Sequence, residues 1–119
     1  MRDFKNLKVW EKAHALTLKS YEISKHFPDA EKFGLVSQLR RAAASISTNI
    51  AEGCGRDTDR DFARFMIIAA GSTSEVEYQI LLSKDLGYIN VEQYKILDDE
   101  INEIKRMLNS FIRKLTANR

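Results

Sequence analysis

An all-α fold, an up-down-up-down antiparallel four-helix bundle, is what this sequence predicts, on three observations. Apolar residues recur at steps of three and four through four long segments, with no sustained alternation of period two. One proline and five glycines in 119 residues serve mainly as punctuation between those segments. The connections are short, so segments adjacent in sequence pack antiparallel. A chain of this length is one domain, 1–119.

The first helix lies near residues 6–26, with the stripe Val9, Ala13, Leu16, Ser20, Ile23 and Phe27. Pro28 and Asp29 end it, because the residue before proline is pushed out of the helical region. Residues 29–34 read as a short irregular turn. The second helix, near 34–52, buries Leu35, Leu39, Ala42 or Ala43, Ile46 and Ile50, and Gly53-Cys54-Gly55 is the break. Asp57, Thr58 and Asp59 offer N-cap oxygens to a third helix near 58–86, and the acids suit the positive end of its dipole. Gly87 stops it as a left-handed C-cap. Asn90, with Gln93 in capping-box position, opens a fourth helix near 91–116. Its seam of Tyr94, Leu97, Ile101, Ile104, Leu108, Phe111 and Leu115 alternates steps of three and four, which suits left-handed packing at about +20°.

Composition excludes several function classes. Charged residues make up 30% of the chain and nearly balance at a formal +2, which excludes a strongly basic nucleic-acid-binding tail but leaves room for a local basic patch. The single cysteine, Cys54, makes no disulfide within the chain. With no signal peptide and no glycosylation sequon, a reducing cytoplasm is the expected compartment. No apolar run approaches the roughly 18–20 residues of a membrane span, so no membrane partner is expected.

Catalytic motifs are sparse. Glu11-Lys12-Ala13-His14 is a Glu-X-X-His, but di-iron bundles need two, and His26 has no glutamate three residues before it. Cys54 sits between glycines with no histidine or second cysteine nearby in sequence. Neither a phosphate-binding glycine loop nor a Gly-X-Ser-X-Gly elbow occurs. No metal and no cofactor are expected.

A polar stripe on the second helix stands out. Arg41, Ser45, Asn49 and Glu52 share one face. Ser, Thr and Asn disfavour helix interiors, yet four such residues lie between positions 45 and 49, which points to a tight or specific contact. With the turn centred near Gly55, residues 41–47 stand opposite 69–74, and both stretches are dominated by small side chains that let helix axes approach closely. The expectation is a largely buried, register-fixing network of Ser45, Asn49, Glu52, Ser72 and Glu75. The competing reading makes Glu52 and Glu75 an acid or ligand-binding pair.

Two surface features bear on partners. Arg40, Arg41, Arg56, Arg60 and Arg64 are read as clustering around the junction of the second and third helices, and arginine's planar fork suits phosphate. Asp57, Asp59 and Asp61 interleave with them, so a solvated mixed-charge end competes with a nucleic-acid patch. The run from Phe65 to Ala70 is apolar all round, more than a bundle helix needs. Its excess must be covered by Phe4, Leu7 and Trp10 or by another subunit, so Trp10, Phe65, Met66 and Ile67 are candidate interface residues.

Phe4-X-X-Leu7-X-Val9-Trp10-X-X-Ala13, Phe27-Pro28-X-X-Glu31-X-Phe33-Gly34-Leu35-X-X-Gln38-Leu39-Arg40-Arg41-Ala42-Ala43-X-Ser45-Ile46, Asn49-Ile50-Ala51-Glu52-Gly53 and Ala70-Gly71-Ser72-X-X-Glu75 follow in order. Together they resemble the bacterial four-helix-bundle proteins known as 23S rRNA intervening-sequence or S23 ribosomal-protein-like proteins, from Phe4 to about Leu115. The resemblance implies a homopentameric ring and kinship with the accessory protein of diversity-generating retroelements, which binds nucleic acid. It does not imply a stoichiometric ribosome component. The expected function is a non-enzymatic oligomeric scaffold with weak affinity for structured RNA or DNA. The alternatives are an adaptor for a protein partner, or a small-molecule or metal-binding enzyme using Glu52, Glu75 and His14.

Overall fold

Four apolar stripes bury one another along a common axis. The computed structural model describes residues 2–117 and contains α1 (Lys8–Ser24), α2 (Leu35–Cys54), α3 (Asp59–Asp85) and α4 (Val91–Thr116). Single 3₁₀ turns at Phe4–Asn6 and Asp29–Glu31 precede α1 and α2. No strand occurs among the described residues. Each helix packs on its neighbour in sequence, and α1 closes the square against α4, while the diagonal pairs stay apart. The result is a rod of 46 × 23 × 21 Å.

The core is drawn from the expected stripes of α1, α2 and α4, with further residues from α3. Leu16, Leu39, Ile46, Ile50, Ile80, Ile101, Ile104 and Leu108 are fully buried, joined by Phe62 and Met66. Buried hydroxyls are satisfied by helix carbonyls one turn back: Ser20 by Leu16 at 2.8 Å, Thr73 by Ala69 at 2.8 Å and Ser83 by Gln79 at 2.7 Å. Thr17 donates to the Ala13 carbonyl at 2.9 Å and lies 3.1 Å from that of Ala43, which ties α1 to α2.

Helix ends follow local chemistry. Thr58 caps α3 through the Asp61 N–H, and Asn90 and Gln93 form a reciprocal capping box on α4. Gly87 takes φ 80°, the left-handed conformation that glycine adopts without penalty. At this end Tyr88 donates to Glu31 at 2.8 Å, and the other Glu31 oxygen accepts from the Leu35 N–H at 3.3 Å. One carboxylate thus joins the α3–α4 turn to the start of α2. At the opposite end the Arg2 N–H donates to the Cys54 carbonyl at 3.1 Å, and its guanidinium lies 4.7 Å from the Phe62 ring centre.

The break after α2 differs from expectation. The helix runs through Gly53 to Cys54, and Gly55 caps it at an ordinary negative φ of −83°. Gly53 is present for proximity, because a Cβ there would stand 2.8 Å from Phe62 Cδ1 and 3.1 Å from Phe65 Cβ. Missing side-chain volume, not a turn, explains this glycine.

Leu108→Ala is expected to lower the unfolding free energy by about 2–5 kcal/mol in a denaturant titration, the usual cost of a large-to-small change in a closed core. Gly53→Ala should lower the melting temperature despite alanine's higher helix propensity. A higher one would show that Phe62 yields freely.

Candidate functional site

The contact between α2 and α3 is the most extensive in the bundle, and small residues set its spacing. Ser45 Oγ and Ser72 Oγ are 2.9 Å apart across it. Asn49 Nδ2 donates to the Ser45 carbonyl at 2.8 Å and lies 3.0 Å from Ser45 Oγ. All three side chains are half-buried. This register places the midpoint of the turn between Thr58 and Asp59, later than Gly55, because α2 continues to Cys54.

The carboxylates do not join this network as a buried unit. Glu52 is exposed and reaches Arg56 at 3.8 Å, while exposed Glu75 lies 3.5 Å from Gln79 Nε2. The Ser45–Ser72 register sets Glu52 about 15 Å along the axis from Glu75, at 1.5 Å per residue. Both project from the rim of the interface, where an ionised group keeps its hydration. Beside Ser45 and Ser72 opens a polar groove of ≈ 310 Å³, lined by Gln38, Arg41, Ala42 and Glu75 as well as the two serines.

His14, Glu52 and Glu75 stand on α1, α2 and α3 and are not gathered within one chain. The His14 imidazole is exposed and stacks on the Trp10 indole at 4.9 Å with 7° between planes. No cluster of three or more His, Cys, Asp or Glu suited to a metal ion occurs among the described residues. Cys54 is buried, and burial pushes its thiol pKa up, away from the reactive thiolate.

The five arginines do not form one patch. Arg40 staples α2 to α1, its guanidinium donating to Ser24 Oγ at 2.8 Å and the Tyr21 carbonyl at 3.2 Å and lying over the Tyr21 ring. Arg41 is exposed beside the polar groove. From Arg41 to Cys54 is about 20 Å of helix, so neither residue reaches the α2–α3 junction. Arg56, Arg60 and Arg64 are at the junction. Of these, Arg56 and Arg64 lie over the Phe65 ring, 4.6 and 4.7 Å from its centre, and Arg64 also approaches Asp61 at 3.6 Å.

The apolar run also divides. Met66 is fully buried and Phe65 is 7% exposed, so both belong to the interior of this chain and not to its outer surface. The reason is helical phase: Phe62, Met66, Ala69, Thr73, Val76 and Ile80 form the core stripe, and Phe65 flanks it beneath the arginines. Trp10 is half-buried beside Phe4, with ring centres 4.9 Å apart. Ile67 and Ile68 remain outside, 55% and 43% exposed.

A second basic surface escaped sequence reading because its members come from opposite ends of the chain. Lys8, Arg106 and Lys114 surround a groove of ≈ 340 Å³ between α1 and α4, floored by Val9, Met107 and Phe111, with no carboxylate in its lining. Farther along the same seam the charges are paired, Lys12 with Glu103 at 2.6 Å and Lys19 with Glu100. Hydrogen bonding to Lys12 holds the Glu103 pKa below the usual carboxylate value, helped by the charges of Lys12, Arg106 and Lys8, while the Glu103 hydrogen bond raises the Lys12 pKa.

The model of a family described as 23S rRNA-intervening sequence protein matches residues 5–110. Among solved structures, the chain is similar to a protein of unknown function from the S23 ribosomal protein family of Bacteroides thetaiotaomicron. The two share 28% identity and a TM-score of 0.82, over 88% of this chain and 98% of the other. No curated protein matches.

Asn49→Ala should lower stability by about 1 kcal/mol, and combined with Ser45→Ala by less than the sum, because the two share hydrogen bonds. Equal additivity in a double-mutant cycle would separate them. The lowered Glu103 pKa contributes stability above the unfolded-state pKa, lost as pH falls through the folded-state value. The raised Lys12 pKa contributes below its unfolded value, lost as pH rises through the folded one. Glu103→Gln should therefore flatten the acid limb of a melting-temperature profile, and Lys12→Met the far alkaline limb.

Proposed function

Because the chain belongs to the 23S rRNA-intervening sequence protein family, we propose that it is a non-enzymatic helical-bundle scaffold that acts through contacts with other macromolecules, first of all with copies of itself. The observation that carries this reading is the outer face of α3, where Tyr78 is 60% and Leu81 36% exposed in addition to Ile67 and Ile68. A solvated helix face is ordinarily written with Lys, Glu and Gln. Apolar side chains in register along one exposed face mark an interaction surface. The assembly proposed is a ring of five, which is what the family resemblance implies, and the compartment proposed is a reducing cytoplasm, in keeping with the single cysteine. No helix among the described residues is long and apolar enough to cross a membrane.

Weak binding of structured RNA or DNA is the second reading, favoured by the carboxylate-free groove of Lys8, Arg106 and Lys114. With Arg60 and Arg64 it supplies cations for phosphate, and repetition around an assembly adds avidity without new contacts. A protein adaptor without nucleic-acid affinity is the competing outcome.

Light scattering coupled to gel filtration should give a mass above one protomer, and Ile67→Glu with Tyr78→Glu should reduce it while helix content is unchanged. A monomeric parent protein at micromolar concentration overturns the self-association reading. Titration of structured RNA and duplex DNA at about 50 mM salt should show affinity whose logarithm falls with log salt, with a shallower slope after Arg106→Ala and Lys114→Ala. Absence of binding there leaves the adaptor reading.

A further inference from the structure

We propose that the polar groove on the α2–α3 rim binds a small zwitterion of the free α-amino-acid type, with its carboxylate on Arg41 and its ammonium on Glu75. The site stands apart from the outer face of α3 that carries the self-association reading. Its lining holds one charge of each sign, Arg41 and Glu75, with the Gln38 amide, the Ser45 and Ser72 hydroxyls and Ala42. That set selects by exclusion. A phosphate or a nucleic-acid backbone meets the repulsion of Glu75, a metal ion or simple cation meets that of Arg41, and an apolar molecule finds only the Ala42 methyl. A molecule carrying both charges satisfies both walls.

The two charges are placed to hold such a molecule between them. From the Ser45–Ser72 contact, Arg41 lies about 6 Å back along α2 and Glu75 about 4.5 Å forward along α3, and in antiparallel helices these run in the same direction. Arg41 and Glu75 therefore stand at nearly one height on facing helices, yet they make no ion pair with each other. The Arg41 side chain has no ion-pair or hydrogen-bond partner among the described residues. At ≈ 310 Å³ the groove has the volume of about ten waters of the liquid, which is room for an amino acid.

Two further observations point to a ligand. Hydroxyls elsewhere in the bundle, those of Ser20, Thr73 and Ser83, spend their protons on the carbonyl one turn back. Ser45 and Ser72 do not. They bond each other at 2.9 Å, which uses one of their two protons. The other has no acceptor among the described residues and is a second donor, one turn from Arg41, for a carboxylate in the groove. Gln79 is 4% exposed, and its Nε2 lies 3.5 Å from Glu75 Oε2 while its Oε1 has no partner among the described residues. An amide half-satisfied in the interior costs stability, and steadying Glu75 at the groove wall gives it a use.

Isothermal titration calorimetry of the full chain with L-glutamine, whose side-chain amide matches that of Gln38, should show one site per protomer. N-acetyl-L-glutamine lacks the ammonium and L-glutaminamide lacks the carboxylate. Each should bind about tenfold more weakly, the usual cost of a lost charge-assisted hydrogen bond. Glu75→Gln should weaken L-glutamine about tenfold and abolish its advantage over the N-acetyl form while keeping that over the amide. Arg41→Met should do the reverse. A merely structural role would move both preferences together or neither. Both residues are exposed, and circular dichroism checks that each variant is folded. No binding of L-glutamine, glycine or L-serine at about 10 mM, as when a neighbouring copy covers the groove, overturns the proposal. So does binding whose charge preferences survive both substitutions.

Discussion

The close approach of α2 and α3 is the constraint on which the rest of the bundle depends. Gly53 lets the Phe62 ring lie directly against the α2 backbone, and the Ser45–Ser72 contact holds the same two helices farther along. Together they set spacing at one point and register at another. Phe62 then reaches the core, where its ring centre lies 5.3 Å from that of Phe111 on α4. A bulkier residue at position 53 would displace the ring through which α2, α3 and α4 are joined.

Polar groups divide into two kinds by what surrounds them. Those inside the bundle, Thr17, Ser20, Thr73 and Ser83, spend their hydrogen bonds on helix carbonyls and so add little bulk between axes. Those at interface rims, Glu52, Glu75 and Arg41, keep contact with water and remain open to a partner. Arginine serves here as much for packing as for charge, since Arg56 and Arg64 roof Phe65 and Arg40 clamps α1 to α2. The formal +2 of the chain therefore says little about where positive charge is free.

How much of the candidate site was legible follows from how far apart its parts are in sequence. Thr58, Gly87 and the Asn90–Gln93 box act within a few residues of themselves, and each does in the structure what its local pattern indicates. The serine and asparagine cluster on α2 signalled a specific contact through its poor helix propensity alone, and Ser45 meets Ser72. Helical spacing groups Glu52 with it, but spacing gives an angle around one helix and no distance to Glu75 on the next. The run from Phe65 to Ala70 misled for the same reason: its apolar character was plain, but the division into core and outside depended on where α2 lay. The groove of Lys8, Arg106 and Lys114 had no local signal at all.

By itself, then, the sequence determined the four helices, the caps of α3 and α4 and the core stripes of α1, α2 and α4, because hydrogen bonding along a helix and the 3.6-residue repeat are local properties of the chain. Tertiary structure alone decided that Gly53 is a contact rather than a turn, that Met66 is interior while Ile67 is not, and that Lys8 shares a groove with Arg106. Those outcomes depend on which other helix lies beside a given face and how closely. Residues distant in sequence set that proximity through packed volume, which no local pattern encodes.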